Sequence, residues 1–496
     1  MKKLIGLVAI VVALWLGATA YVGSQIEPFA QKYMSKTNEM YKSFGIKYDI
    51  DITEKSFFSS KARISIEYTD QAMKQMMQAF GQTDMEYEIE HGPLLFKNGF
   101  AFGAARMTSD ISLRKYLGTA KEFQELFSSM IQDKDIKMSS SILITLYKQM
   151  IFEGTSTAFH INTPEGLKIA VSPISMTGDF DIDTMAGRGL FQVSSIDVID
   201  TNNINNNMHS KNILIDIDIK EMLSAGLFLG DMSLTIEELA LSLDTDTEKI
   251  SFAFSPAIHG SMSQDSDDDS IELVYSLQYR HLSGDTPKDM IPVQEADIMF
   301  QWSGLGLAGL EALGKWSQDM QTTQATIFAS MDENSTDPEA MAKAMLALQE
   351  MQEQTPKKVV EILKQVLIKD KTSLSIKGNL YTKDSNDNLV DMRLTYIADE
   401  LKGDYKEILK QLKQNMLNML TLDAELSLDE TLLNHIPSGD FAKASLRQFE
   451  TQGFVKKENN IYKTKLHYKP NSLKINDKDM PQMLQMLQMI QASTNR

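Results

Sequence analysis

The sequence contains no cysteine among its 496 residues. This absence excludes disulfide bonds, cysteine nucleophiles, zinc-binding cysteine clusters and iron–sulfur clusters. Histidine is scarce as well, and the seven histidines include no pair spaced as H-x-H or H-x-x-x-H, the local patterns of a histidine metal site. A G-x-S-x-G nucleophile motif is also missing. The sequence therefore predicts no cofactor, no metal and no catalytic residues.

Basic residues are too few to balance the acidic ones. The chain has 49 Lys and Arg against 67 Asp and Glu, which gives a formal net charge of −18. So acidic a protein is repelled by nucleic acid and by anionic lipid headgroups, and nucleic-acid binding is therefore excluded. Hydrophobic residues make up 43% of the chain, a fraction typical of a packed globular protein rather than a disordered one.

One hydrophobic run is long enough to cross a bilayer. It extends from Leu4 to Val22 without a charged residue and follows Lys2 and Lys3. As a helix this run measures roughly 29 Å, and the two lysines predict that its N-terminus lies in the cytoplasm. We interpret residues 1–23 as a membrane anchor, with the rest of the chain in the periplasm. The alternative is a cleavable signal peptide ending at Ala18-Thr19-Ala20, although the run is longer than the usual signal core.

Alternation of apolar and polar residues dominates the centre of the chain. Apolar residues occupy every second position in four segments, at residues 213–219, 239–243, 250–254 and 273–279. This period predicts strands with one apolar and one solvent-facing side. We expect the strands to form one long, twisted antiparallel sheet. On it, Ile215, Ile217, Phe252 and Leu273 face a core or groove, whereas Asp216, Asp218 and Glu272 face water.

The predicted fold class is α+β and β-rich, with a helical insertion and one N-terminal transmembrane helix. Residues 24–303 form the β-rich periplasmic domain. The pattern becomes helical at Gly304, and Pro338 marks a helix start, which together predict a helical module over residues 304–370. Residues 371–496 then form an α+β segment that completes the sheet.

The His91-Gly92-Pro93 sequence is the strongest candidate for a functional turn. Histidine titrates near neutral pH, and glycine followed by proline requires a turn. The other interpretation is structural: Gly92 and Pro93 direct the chain out of a strand, and His91 packs there. We favour the structural interpretation because no other catalytic motif accompanies the turn.

The last predicted helix, at residues 480–490, carries an apolar docking face. Its apolar strip would lie in water if the helix stood alone, so we expect it to dock on the protein itself or on a second copy. Its methionines recur every three residues and offer soft ligands for Cu(I), but that step spreads them around the helix instead of making them converge. The docking face consists of Met483, Leu484, Leu487 and Ile490.

Several segments resemble one protein family. They are the apolar N-terminus, Phe57-Phe58-Ser59-Ser60 before the strand at Ile64, the Glu90-His91-Gly92-Pro93 turn, and the closing segment at residues 473–478. Together they resemble the YdgA/YihF family of bacterial inner-membrane-anchored envelope proteins, which is named for a domain of unknown function. The resemblance implies one anchor, a β-rich periplasmic body and no assigned catalytic residues.

These observations favour a non-enzymatic envelope scaffold or binding protein, anchored in the inner membrane by a single helix. Its expected partners are the membrane and either a second copy or another envelope protein. The alternative is a carrier or bridge for lipids or other apolar molecules, in which the sheet curls into an apolar groove. The two differ in whether the apolar faces of the strands pack against helices or stay open.

Overall fold

A computed structural model of the chain describes most of its residues. They are 2–41, 46–68, 84–97, 99–112, 130–131, 136–223, 227–244, 249–265, 269–285, 293–330, 338–383, 385, 388–435 and 438–493. The chain divides into two compact units. The first unit comprises Met1–Asn202, Leu214–Phe228 and Gly314–Met351, and the second comprises Asn203–Ile213, Leu229–Leu313 and Gln352–Arg496.

The first unit consists mainly of one helix and an antiparallel sheet. The helix, α1, spans Lys2–Tyr41 and joins the predicted anchor and the segment after it into one continuous helix. The strands are β1 (Ile46–Lys55), β2 (Ser59–Tyr68), β3 (Met85–His91), β4 (Leu94–Leu95), β5 (Ala101–Phe102), β6 (Ala105–Ser112), β7 (Lys137–Ile144), β8 (Gln149–Ser156), β9 (Phe159–Asn162), β10 (Leu167–Val171), β11 (Ile174–Asp181) and β12 (Gly187–Asp200). They pair in the order β1-β2-β3-β6-β7-β8-β11-β12-β10-β9, and β4 and β5 form a separate hairpin.

The second unit also contains a long antiparallel sheet. Two strands, β13 (Asn207–Met222) and β14 (Phe228–Asp244), include residues of both units. Those that follow are β15 (Lys249–Gln264), β16 (Ser270–Asp285), β17 (Val293–Gly306), β18 (Ser373–Thr382), β19 (Asn388–Tyr396), β20 (Leu420–Asp429), β21 (Lys456–Glu458), β22 (Ile461–Lys469), β23 (Ser472–Ile475) and β24 (Lys478–Asp479). Pairing runs from β14 through β20 in chain order and then to β22, β23 and β24, while β21 also pairs with β22.

Two helices occupy most of the predicted helical module. They are α2 (Leu307–Ser330) and α3 (Pro338–Val366), and α3 begins at the predicted proline. The Thr355-Pro356 pair predicts the start of a further helix, but α3 continues through Pro356 without a break. The two compact units divide the chain differently from the four predicted segments, because each contains part of this module. Three shorter helices follow: α4 (Tyr405–Asn415), α5 (Gly439–Thr451) and α6 (Pro481–Ser493).

The predicted β-rich α+β class with a long antiparallel sheet is confirmed. Within the described residues, no helix combines the length and apolar character needed to cross a membrane. The backbone is helical throughout residues 4–22, and their role as a membrane span stays a prediction.

Each unit has its own buried apolar clusters. In the first unit, Ile26 of α1 packs with Ala62, Ile89 and Ala105 of three neighbouring strands. The second unit has one cluster around Val360, Leu401 and Ile408 and another around Leu433, Val455 and Tyr462. The first-unit cluster fixes α1 on the sheet and thereby positions the features described next.

Candidate functional site

The predicted functional turn lies against α1. Thr19, fully buried at 0% exposure, and Gly23 face this turn one helical turn apart. A Cβ atom added at Gly92 would lie 2.8 Å from Thr19 Oγ1, and one added at Gly23 would lie 2.7 Å from Cε1 of the His91 ring. Gly92 also has a φ of +132°, which side chains rarely allow. Gly23 and Gly92 thus let α1 approach the turn closely. The part of α1 around Thr19 and Gly23 packs on the His91-Gly92-Pro93 turn, which we call the seat of α1.

The His91 ring is only 3% exposed and is packed inside the protein. Neither ring nitrogen makes a hydrogen bond with the residues that the structure describes. Burial lowers the pKa of His91, opposed by the nearby backbone of Ser59, Thr19 and Ser56 and by the Glu90 carboxylate. A neutral, enclosed imidazole is a packing residue that a substrate cannot reach, which favours the structural interpretation of this turn.

Two polar contacts fix α1 beyond this seat. Glu27 forms an ion pair with Lys55 at the end of β1. Asn38 pairs with the backbone of Tyr48: its Nδ2 donates to the carbonyl at 2.8 Å, and its Oδ1 accepts from the N–H at 2.6 Å. The helix is therefore held to the sheet along most of the part that follows Trp15.

An apolar cavity of about 430 Å³ lies between α1 and the sheet of the first unit. Its polar lining residues are few, chiefly Gln25, Thr145 and Lys148. The volume falls within the range of small-molecule sites, and the lining suits an apolar ligand. Apolar lining residues include Phe29, Ala30 and Tyr33 of α1 and Met107, Ile142 and Met150 of the strands.

The sheet of the second unit presents an apolar row that crosses six neighbouring strands. Directly paired residues of antiparallel strands share one face, so the pairing register places these side chains side by side. Its large side chains are between 37% and 42% exposed, although they are aliphatic. The apolar row consists of Ile258, Leu277, Ile298, Gly378, Val390 and Leu426, one on each strand from β15 to β20.

Two more rows on the same side widen this surface into an apolar face. Tyr275 pairs with Phe300, and Leu273 pairs with Trp302, so each row contributes aromatic rings. The Tyr275 and Trp302 rings meet edge to face with centroids 6.2 Å apart. Phe252 and Leu273 lie half-buried on this side, as predicted. The apolar face of the second unit is therefore partly open.

Charged and polar residues alternate with the apolar ones and occupy the opposite face. Lys465 Nζ lies 3.1 Å from Glu425 Oε2, and Lys377 Nζ lies 3.8 Å from Asp391 Oδ2. Glu272, predicted to face water, is half-buried and accepts a hydrogen bond from Ser303 Oγ at 3.3 Å. No group of three or more histidine, aspartate or glutamate side chains in the described residues is arranged to hold a metal ion.

The other predicted face residues lie on β13. Ile215 and Ile217, predicted to face a core or groove, are half-buried, and Asp218, predicted to face water, is exposed. Asp216 is half-buried because its carboxylate accepts from the Arg188 guanidinium, with Nε at 2.9 Å from Oδ1. This hydrogen bond lowers the pKa of Asp216.

The C-terminal helix lies against the second unit. It contacts β23 and α4, and Gln491 Nε2 donates to the carbonyl of Gln414 at 2.6 Å. Met483, Leu484 and Leu487 are half-buried, and the side chain of Ile490 lies outside the described residues. Docking on a second copy stays a prediction.

A short hairpin formed by β4 and β5 was not among the predicted elements. Leu94 pairs with Phe102, and Leu95 pairs with Ala101. An Asn-Gly pair at positions 98 and 99, between two apolar runs, is the signal that predicts such a hairpin.

Comparison with known proteins places the chain in a family without assigning an activity. One relative is the "Uncharacterized protein YihF" of Escherichia coli (strain K12), 26% identical over 97 residues. This match covers 19% of the chain and 20% of YihF, so the chain spans about a fifth of that relative's length. None of the solved structures matches the chain. The family model described as "Bacterial protein of unknown function (DUF945)" matches residues 1–483, and the chain therefore belongs to the DUF945 family.

Proposed function

We propose that this protein is a single-pass membrane protein of the bacterial envelope that binds an acyl chain or a similar apolar molecule on the apolar face of its second unit. The anchor lies in the inner membrane, the bulk of the chain lies in the periplasm, and the role is non-enzymatic. A role as a carrier of lipid or of another apolar molecule is thus preferred to a role as a scaffold.

The apolar row is the observation that carries the proposal. Contiguous apolar surface exposed to water is unfavourable, and a soluble protein keeps such surface where it binds something. Six strands about 4.8 Å apart make the row roughly 24 Å long. One leaflet of a bilayer is about 15 Å of hydrocarbon, so the row is long enough for one extended acyl chain.

The anchoring part of the proposal rests on the sequence of residues 4–22. The buried position of Thr19 supports retention over cleavage, because cleavage at Ala18-Thr19-Ala20 would separate Trp15 and part of the helical seat from the body. Loss of those contacts would leave the His91-Gly92-Pro93 turn without its cover.

Two adjacent residues of β16 provide the test. Leu277 belongs to the apolar row, and Gln278 is exposed on the opposite face. Each position is replaced in turn by photoreactive benzoylphenylalanine in the full chain in cells, and the irradiated protein is examined by mass spectrometry. We expect lipid adducts at position 277 and none at position 278.

The same experiment separates the two functions. Protein adducts at position 277, without lipid adducts, would mean that the apolar face binds a protein and that the scaffold interpretation is right. Equal lipid labelling at 277 and 278 would mean that the face has no specific role in lipid binding and would contradict the proposal.

A further inference from the structure

Six aromatic rings form a connected cluster around the first unit's helix at Trp15. Trp15 stacks on Phe58 with centroids 5.5 Å apart and meets Phe96 edge to face at 6.5 Å. The contacts continue from Phe58 to Phe57 at 4.7 Å, and from Phe96 through Phe100 to Phe102 at 5.7 and 5.0 Å. The five phenylalanines are between 46% and 66% exposed, and we call them the aromatic patch.

The aromatic patch is held in place by buried and backbone contacts. Glu90 accepts hydrogen bonds from the backbone N–H groups of Phe96 and Lys97. Arg106, itself buried, donates to the carbonyl of Lys97 and, at 2.7 Å, to that of Gly99. The hairpin that carries three of the phenylalanines is thus fixed by polar anchors while its rings stay exposed. Rigidly held, exposed aromatic rings are unfavourable in water, and such a patch marks a surface that binds something.

The course of α1 indicates what covers the patch. The helix continues past Trp15 toward its N-terminus, and the twelve residues back to Lys3 advance only about 18 Å. The hydrocarbon core of a bilayer is about 30 Å thick. If the patch stayed outside the membrane, Lys3 would lie deep within the hydrocarbon, where a charge is costly. The lysines approach the cytoplasmic side when the patch itself sinks about 10 Å into the opposite leaflet.

The chemistry of the patch fits that position. Phenylalanine has no polar tip, so its ring is suited to the hydrocarbon instead of only to the headgroup layer where Trp and Tyr collect. The net charge of −18 excludes attraction to anionic lipid as the force that holds the body on the membrane. Insertion of apolar rings needs no such attraction.

We propose that the aromatic patch inserts into the periplasmic leaflet of the membrane that anchors α1. The first unit is then partly embedded in the bilayer as well as tethered to it by the anchor. This inference rests on the anchoring part of the proposed function. The occupant of the patch is lipid, not a second copy of the chain.

The absence of cysteine makes the test direct, because any introduced cysteine is a unique labelling site. Three variants of the full chain carry an environment-sensitive fluorophore at Phe100→Cys in the patch, Val8→Cys in the anchor, or Phe441→Cys. Phe441 is the control, since it is 77% exposed and belongs to the second unit. Each protein is reconstituted in phosphatidylcholine vesicles with and without nitroxide-bearing lipids, which quench fluorophores within the acyl region.

We expect nitroxide lipid to quench the labels at positions 8 and 100 several-fold more strongly than the label at 441. High salt should not change this, because the insertion of apolar rings depends on no attraction between charges of the protein and charges of the lipid. Quenching at 8 but not at 100 would overturn this inference and leave the anchor intact. Quenching at neither position would overturn the anchor. A blue-shifted label at 100 that lipid does not quench would identify a second copy as the occupant and contradict the inference.

A triple variant checks the cause. Phe96→Ser, Phe100→Ser and Phe102→Ser remove the exposed hairpin rings but keep Phe58 on Trp15. With a fluorophore at Phe57→Cys, we expect lipid quenching to fall sharply in the triple background while quenching at Val8→Cys persists. Unchanged quenching at position 57 would show that the three hairpin rings are not what inserts the first unit into the bilayer.

Discussion

The two units use the same kind of sheet in different ways. Each unit contains an antiparallel sheet of many strands, and one face of each sheet is apolar. In the first unit α1 covers part of that face, buries Ile26 and leaves a cavity of about 430 Å³. In the second unit the apolar row is more than a third exposed. The alternation of residues therefore indicates which face is apolar but not whether anything covers it.

Because the apolar face is covered in one unit and open in the other, similar residues in the two sheets are under different constraints. A covered position must fit its neighbours closely, because interiors are packed at nearly crystalline density. An open position must only remain apolar and accessible. Substitutions at matched positions can therefore test whether the first unit is closed and the second is open.

The largest effect should come from a charge placed beneath the cover. Ile26→Asp removes a buried side chain and buries an unpaired carboxylate, which should lower the free energy of unfolding by about 4 kcal/mol. Leu277→Asp in the apolar row should lower it by only about 1 kcal/mol, because that side chain is already half in water. Urea unfolding of both full-length variants measures the difference.

Ser24→Asp is the control for this pair. Ser24 is exposed two residues from Ile26 on the same helix, so a carboxylate there stays hydrated and should change stability little. Equal losses for Ile26→Asp and Leu277→Asp would mean that the two faces are equally covered and that the comparison between the units is wrong.

A smaller effect should report how closely α1 fits its seat. Gly92→Ala would place a Cβ 2.8 Å from Thr19 Oγ1 at a backbone angle that alanine rarely adopts, which should cost about 3 kcal/mol. Gly99→Ala is the matched control: its φ is +100°, but among the described residues no atom outside its chain neighbours lies within 4 Å of the added Cβ, so only the backbone strain of about 1 kcal/mol applies. Thermal unfolding of the two variants compares them.

Removing the obstacle should rescue the first variant. In a Thr19→Ala background the Oγ1 and Cγ2 atoms are gone, so Gly92→Ala should cost about as much as Gly99→Ala. If the double variant recovers no stability, the contact between Thr19 and the turn is not what makes glycine necessary there.

Local pattern was sufficient to predict four of the strands. The alternating segments at residues 213–219, 239–243, 250–254 and 273–279 all lie in strands, because a period of two fits only a pleated chain. The start of α3 was predicted from Pro338, where the missing N–H costs nothing at the first turn. These features depend on residues near one another in sequence.

Features that depend on distant residues were not predicted. The helix continues through Pro356, although proline removes a hydrogen bond, because Val360 on the following turn is buried among Leu401 and Ile408. The sequence predicts that His91 packs at its turn, but it does not predict that the packing partner is α1, some seventy residues away in sequence. The cluster of six aromatic rings likewise joins segments around positions 15, 57 and 100, and no local period relates them.

The smallest predicted effect is a dependence of the covered unit on pH. Burial places the folded-state pKa of His91 below its usual value, so the unfolded chain takes up the proton first as the pH falls. The free energy of unfolding should therefore decrease as the pH falls through the unfolded pKa near 6.5 and level off below the folded pKa. One proton limits the slope to about 1.4 kcal/mol per pH unit.

His91→Gln removes the titrating group, so urea unfolding of wild type and variant between about pH 7.5 and pH 5.5 isolates the contribution of His91 from that of the other histidines. We expect the wild type to lose more stability than the variant over this interval, and the loss should accompany faster amide hydrogen exchange in α1 but not in β15–β20. A parallel decline in both proteins would show that His91 titrates freely and that its ring is not enclosed beneath α1.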